Sequence, residues 1–134
     1  MTTRTASCAC GQLHLTCHGE PVRISVCHCN ACQRRTGSAF GYQARFPRSQ
    51  VTDIQGDQSE YVRVGDSGKP ITAHFCPHCG TTVYWELGIA PDLIAVAAGA
   101  FADPAFPPPR HSVYESRRHP WTRFANDQEM EHLA

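Results

Sequence analysis

Cysteine placement constrains this chain more than any other feature of its sequence. Seven of its eight cysteines fall into three tight groups. The groups are Cys8-x-Cys10-Gly, Cys27-x-Cys29-x-x-Cys32 and Cys76-x-x-Cys79-Gly. A structural zinc site is normally closed by four protein ligands, whereas a catalytic zinc site uses three and leaves one position for water or substrate. Seven cysteines therefore match one closed site and one open site.

The sequence favours metal binding over disulfide formation. The start of the chain, Met1 to Ser7, has no apolar signal core, and no apolar run approaches the ~20 residues that cross a bilayer. We therefore expect a cytoplasmic protein without membrane contact, in which cellular reductants keep thiols free. Twelve basic and twelve acidic residues give zero formal charge, so we expect no nucleic-acid partner. The sequence carries no signal for an oligomeric state.

Short apolar runs separated by turn residues predict an all-β fold in a single domain. The chain has 134 residues, and its ten prolines and ten glycines disfavour long helices. Helical turns fit only at Cys32–Gly37 and after Trp121. The proline-rich segment Asp103–Arg110 is expected to be an extended connection, and residues 126–134 are expected to fray. The runs with strand composition are Leu13–Thr16, Val22–Val26, Phe40–Phe46, Val51–Ile54, Glu60–Val64, Thr72–Phe75, Thr82–Trp85 and Leu93–Ala98.

The first and third cysteine groups together predict one four-sulfur site. In Cys76-Pro-His-Cys79-Gly80, two thiolates of a tight turn can bind one zinc ion, and Gly80 gives the backbone freedom that the turn needs. The segment Cys8-Ala-Cys10-Gly11 repeats this pattern with one residue fewer. We assign Cys8, Cys10, Cys76 and Cys79 to a structural zinc that joins the amino-terminal strand to the middle of the fold.

The middle cysteine group predicts a second zinc site of a different kind. Cys27, Cys29 and Cys32 place three thiolates within six residues, which leaves a fourth position on the metal for water or a thiol. Alternatively, Cys17, His28 or a distant histidine completes the tetrahedron and makes the site purely structural. The spacing alone favours neither arrangement.

Three side chains beside the middle group are candidate catalytic residues. Arg34 and Arg35 can offset the negative charge of three thiolates or bind a substrate carboxylate, and His28 can transfer a proton near neutral pH. Each also has an ordinary interpretation, because exposed arginines are common and alternation along an extended Cys-His-Cys segment turns the histidine away from the metal. Aromatic side chains that can wall an adjacent pocket are Phe101, Phe106 and Tyr114.

Further motifs follow the cysteine groups in a fixed order. They are Gly99-Ala-Phe-Ala-Asp-Pro104, Pro109-Arg-His111, Ser116-Arg117 and Trp121. The whole series, over roughly residues 6–121, resembles the glutathione-dependent formaldehyde-activating enzyme family, also called the CENP-V/GFA family. The resemblance implies a single zinc-binding domain over residues 1–134 with the Mss4-like, or β-tent, fold. It also implies a structural zinc at Cys8, Cys10, Cys76 and Cys79 and a second zinc at Cys27, Cys29 and Cys32.

The same resemblance implies a carbon–sulfur lyase activity. The reaction named for the family joins glutathione and formaldehyde in S-hydroxymethylglutathione, or separates them again. We therefore expect two zinc ions per chain and a small thiol such as glutathione as partner. Because the family also contains a centromere-associated protein, the alternatives are a non-catalytic zinc-binding interaction module and a thiol carrier.

Overall fold

The computed structural model describes residues 1–134 as a β structure with one short helix. Every predicted run forms a strand, and turn residues separate the strands. The helix α1 spans Asn30–Thr36, and none of the helical segments has the length and apolar character that crossing a membrane requires. The strands are β1 (Thr3–Ser7), β2 (His14–His18), β3 (Arg23–Cys27), β4 (Gly41–Pro47), β5 (Val51–Gln55), β6 (Ser59–Val64), β7 (Pro70–Phe75), β8 (Thr82–Leu87), β9 (Leu93–Ala97), β10 (His111–Val113) and β11 (Glu131–His132).

The strands form two sheets of unequal size. The small sheet has the order β1-β2-β5, and the large sheet has the order β11-β10-β3-β4-β9-β8-β7-β6. Pairing is antiparallel except at β10, which lies parallel to both β3 and β11. The connection from β3 to β4 contains α1, so the middle cysteine group lies at one end of this strand pair.

Alternation along the strands directs side chains from both sheets into a common core. Sixteen buried residues form this core. Fully enclosed members include Leu15 and Cys17 of β2, Phe46 of β4 and Ile94 of β9. Burying apolar side chains of this size contributes about 1.5–3 kcal/mol each. Cys17 is therefore a core residue.

The opposite face of the large sheet carries a second, smaller apolar cluster. Ala73, Trp85, Leu87 and Ala95 form this cluster on β7, β8 and β9. The small sheet does not cover it, because three of these residues line an open cavity. The large sheet thus separates the core from the cavity.

The carboxy-terminal end differs from its prediction. Residues 126–134 do not fray, since β11 pairs with β10 and Met130 is 8% exposed. The expectation was wrong because polar side chains hold this segment. The Arg118 guanidinium donates to the Asp127 carboxylate at 3.0 Å, and the His132 ring bonds to Glu115 at 2.8 Å.

Candidate metal centre and adjoining cavity

Two turns from distant parts of the chain bring four sulfur atoms together. Cys8 and Cys10 lie between β1 and β2, and Cys76 and Cys79 lie between β7 and β8. Their Sγ atoms are all within 4.8 Å of one another. Cys10 Sγ is 3.6 Å from Cys8 Sγ and 3.7 Å from Cys76 Sγ. Tetrahedral sulfurs at ~2.3 Å from zinc are about 3.8 Å apart, so the donor set and its spacing fit a closed zinc site.

Glycine makes both of these turns possible. Gly11 has φ 85° and Gly80 has φ 80°, in the left-handed region that strains any residue with a Cβ. The Gly11 N–H donates to Cys8 O at 3.0 Å, and the Gly80 N–H donates to Cys76 O at 2.8 Å. These bonds close each turn around its pair of thiols.

Hydrogen-bond donors stabilise thiolates in the four-sulfur group. Gln12 Nε2 donates to Cys76 Sγ at 3.0 Å, and the same amide nitrogen donates to Asp57 O at 2.7 Å. The Thr81 hydroxyl, 3.3 Å from Cys79 Sγ, lowers the pKa of Cys79 to about 5. A thiolate is the form that binds metal. Sequence reasoning missed Gln12 and Thr81, although each stands two residues after a ligand cysteine.

The three-cysteine group forms where β3 ends and α1 begins. Cys27 is the last residue of β3, Cys29 is the N-cap of α1, and Cys32 lies in its first turn. The Cys32 N–H donates to Cys29 Sγ at 3.4 Å, and all three Sγ atoms lie within 4.8 Å of one another. The thiols of Cys27 and Cys32 hold the pKa of Cys29 well below its usual range. The group therefore favours an anionic sulfur, as a zinc ligand must be.

No fourth protein ligand reaches the three-cysteine group. The mutually close ligand atoms belong to its three cysteines alone. Cys17 is buried in the core between the sheets, and His28 Nε2 bonds to Ser112 Oγ at 2.8 Å. In this structure neither Cys17, nor His28, nor a distant histidine joins the three sulfurs. The group thus offers three sulfur donors beside the cavity.

His28 lies on the opposite side of the chain from the cysteine thiols. Its side chain is fully buried and packs near the rings of Phe40 and Phe124, with centroid distances of 6.0 Å. Burial lowers the pKa of His28, which keeps the ring neutral at neutral pH. His28 does not line the cavity, and its ring bonds to Ser112 of β10. Its role in proton transfer stays a prediction.

The three-cysteine group opens into a cavity of about 770 Å³. Its floor is the apolar cluster of the large sheet, and its walls carry five arginines but only one acidic residue, Asp66. This charge pattern favours an anionic ligand. The five arginines are Arg34, Arg35, Arg45, Arg63 and Arg117.

Arg35 is held against the three-cysteine group. Its guanidinium lies 4.5 Å from the centre of the Trp85 ring, in the geometry of a cation–π interaction. A Cβ added at Gly41 would lie 2.9 Å from Arg35 Nη2 and 3.3 Å from Cys32 Sγ, so the glycine permits this close approach. Burial lowers the pKa of Arg35, and the neighbouring thiols oppose that shift. Arg34 lines the same cavity on the exposed side of α1.

Tyr114 and Asp66 meet at the rim of the cavity from distant parts of the chain. The Tyr114 hydroxyl donates to Asp66 Oδ2 at 2.7 Å, and this bond raises the pKa of Tyr114 to about 12. Tyr114 also has φ 57°, a strained conformation for a residue with a side chain. Of the three aromatic residues predicted to wall a pocket, Tyr114 does so. Phe101 and Phe106 lie in the core instead.

Comparisons with known proteins identify the family of this chain. Residues 3–117 match the family model described as glutathione-dependent formaldehyde-activating enzyme, or GFA. The chain belongs to the GFA family. An uncharacterised lyase of Schizosaccharomyces pombe is 32% identical to this GFA protein over 81 residues, which are 59% of this chain and 54% of the relative. The matched region thus spans about half the length of that relative.

A solved structure shares the fold of this GFA protein. The crystal structure of a Rhodobacter sphaeroides protein, determined as a structural genomics target, superposes with a TM-score of 0.57 and 17% sequence identity. The superposition covers 78% of this chain and 91% of the other chain. Together with the family match, it confirms the Mss4-like, all-β fold expected from the sequence.

Proposed function

We propose that this GFA protein is a zinc-dependent carbon–sulfur lyase. Its substrate would be the adduct of a small thiol such as glutathione with a small aldehyde such as formaldehyde. The observation that carries the proposal is the opening of an incomplete three-sulfur group into an arginine-lined cavity. The family description and the naming of the yeast relative as a lyase support it. The chemistry suits a reducing compartment such as the cytoplasm.

Two zinc ions per chain are part of the proposal. Cys8, Cys10, Cys76 and Cys79 would hold a structural ion, and the three-cysteine group would hold the second. A zinc ion held there by the three thiolates would supply a Lewis acid, which would stabilise negative charge on a substrate sulfur. The thiol donors and their spacing support this assignment.

The side chains of the cavity would bind the adduct and stabilise charge. In the lyase direction the carbon–sulfur bond would break with its electron pair on sulfur, while the hydroxyl proton would pass to solvent water and the carbonyl would form. Arg35, fixed on Trp85, places positive charge beside the cysteines, where negative charge on sulfur develops. Arg34, on the exposed side of α1, can bind a substrate carboxylate bidentately.

The rate at which preformed S-hydroxymethylglutathione releases formaldehyde tests the proposal. The zinc-loaded protein is expected to exceed the uncatalysed rate, and Arg35→Gln is expected to lower kcat/KM about 10- to 100-fold, the value of one charge-assisted contact. Arg48→Gln is the control, because the exposed Arg48 guanidinium bonds to Glu86 at 3.1 Å outside the cavity. If the wild-type protein does not accelerate the release of formaldehyde, the lyase proposal is wrong.

X-ray absorption at the zinc edge tests the open site separately. We expect fewer than four sulfur ligands per zinc on average, and an increase when glutathione is added. Four sulfurs per zinc from the outset, unchanged by glutathione, would count against the open site. If the number of sulfur ligands per zinc rises with glutathione but the adduct is not turned over, the result would favour the thiol carrier over the lyase.

A further inference from the structure

Two arginines on the cavity face of the large sheet lack an anionic partner. Arg45 of β4 lies directly opposite Arg23 of β3, and like charges in that position destabilise an antiparallel pair. The Nε atoms of both are buried without a hydrogen-bond partner. Their repulsion and burial lower the pKa of Arg45, with burial the larger cause. The arginines that form ion pairs with carboxylates are Arg4, Arg48 and Arg118.

Unpartnered buried nitrogens are concentrated in this part of the sheet. Five buried side-chain nitrogens lack a partner, and three of them belong to the adjacent strands β10, β3 and β4. The third is Nδ1 of His111, which pairs in register with Ser25. Because Ser25 is two residues from Arg23, all three side chains lie on one face. A buried donor without a partner is costly, and the pair of arginine Nε donors is expected where a ligand supplies the acceptors.

The arginine cluster lies at a defined distance from the three-cysteine group. Arg45 lines the cavity, as does Cys27 at the other end of the same strand pair. Arg23 and Cys27 are four residues apart on β3, which corresponds to about 13 Å at ~3.3 Å per residue. An extended segment of three residues spans about 10 Å. A peptide-sized thiol can therefore reach from the cysteines to the arginines.

We propose that Arg45, with Arg23 beside it, binds a carboxylate of the thiol substrate at the end of the cavity away from the three-cysteine group. The inference rests on the proposed thiol-binding function and adds a substrate preference to it. The preferred thiol carries a carboxylate about 10 Å from its sulfur. The glutamyl carboxylate of extended glutathione meets this condition, because about eight bonds separate it from the sulfur. Arg45 is thus a specificity-determining residue.

Two matched peptides test the carboxylate subsite. One is glutathione, and the other is 4-aminobutyryl-cysteinyl-glycine, which keeps the length and the thiol but lacks the glutamyl carboxylate. Calorimetric titration of zinc-loaded wild-type protein is expected to give about 10-fold or greater preference for glutathione, the value of one charge-assisted hydrogen bond. Arg45→Met is expected to bind both peptides as weakly as the wild type binds the analogue. Arg48→Met is expected to keep the wild-type preference.

The outcomes separate this inference from the proposed function. Equal binding of both peptides by the wild type, or an unchanged preference in Arg45→Met, overturns the carboxylate subsite and leaves the thiol site standing. Failure of both peptides to bind the wild type overturns the thiol site and the subsite together. Melting temperature is the second readout, because relief of the Arg23 repulsion is expected to leave Arg45→Met at least as stable as the wild type. A lower melting temperature of Arg45→Met would mean that the Arg45 guanidinium stabilises the fold, and this result would overturn the subsite.

Discussion

Gly41 in the cavity wall sets how closely Arg35 and Cys32 approach each other. Gly41 pairs with Cys27 in the register of β3 and β4. A Cβ at this position would lie 2.9 Å from Arg35 Nη2 and 3.2 Å from Cys32 Cβ. The guanidinium can shift, but Cys32 is fixed by its place in the first turn of α1. A methyl group at position 41 would therefore displace the cysteine or the arginine.

At this scale, Gly41→Ala is expected to preserve the fold and weaken zinc binding at the three-cysteine group about 10- to 100-fold, as changes to the surroundings of metal ligands commonly do. Chelator competition followed by metal analysis measures the effect. Gly99→Ala is the matched control, because a Cβ there meets nothing within 4 Å. Equal zinc retention by the two variants would argue against this role for Gly41.

Strands and turns differ in how far the sequence predicts them. Strands with apolar alternation were predictable, as were both cysteine turns, because each signal is local. β10 and β11 have three and two residues and depend on pairing with distant strands, which no local pattern reveals. For the same reason, local sequence patterns do not predict that the arginines outside α1 line the cavity. Arg45 of β4, Arg63 of β6 and Arg117, which follows β10, come together only in the folded molecule.

The carboxy-terminal strand β11 depends on a histidine held between two acceptors. His132 Nε2 bonds to Asp127 O at 2.7 Å, and His132 Nδ1 bonds to Glu115 Oε1 at 2.8 Å. These acceptors raise the pKa of His132, with the Asp127 carbonyl the larger cause. The protonated ring can donate to both acceptors at once, whereas the neutral ring can donate to only one.

We therefore expect the docking of β11 to weaken at alkaline pH. Because the folded-state pKa of His132 lies above the unfolded value near ~6.5, its stabilising contribution is complete below that value and is lost as pH rises through the folded pKa. The melting-temperature difference between wild type and His132→Gln is expected to shrink from about pH 6 to about pH 8. A difference that stays constant over this range would refute the assignment.

The four-sulfur group brings together parts of the chain that are far apart in sequence, whereas the three-cysteine group is local. Cys10 and Cys76 are 66 residues apart in sequence, and the turns that carry them belong to different sheets. Closing so long a loop has a large entropic cost in the unfolded chain. A metal that binds only the folded arrangement would offset this cost, because its binding free energy would add to the free energy of folding. The three-cysteine group closes no long loop.

Removal of one cysteine from each group tests this division. Cys76→Ser is expected to lose most of the cooperative thermal transition, since the metal contribution can rival the total stability of a domain, about 5–15 kcal/mol. Cys29→Ser is expected to remain folded and to lack the second zinc. Thermal denaturation with zinc analysis makes the comparison. Equal melting of the two variants would show that the groups share the structural task.

The spacing of the cysteines also has a consequence for synthesis of the chain. The three-cysteine group is complete once residue 32 has been added, but the four-sulfur group is not complete until Cys79. On the proposed two-zinc assignment, a nascent chain would therefore complete the three-cysteine site first. The four-sulfur group, which would join the two sheets through a metal ion, is complete only after more than half of the chain has been made, so its proposed contribution to folding would come late in synthesis.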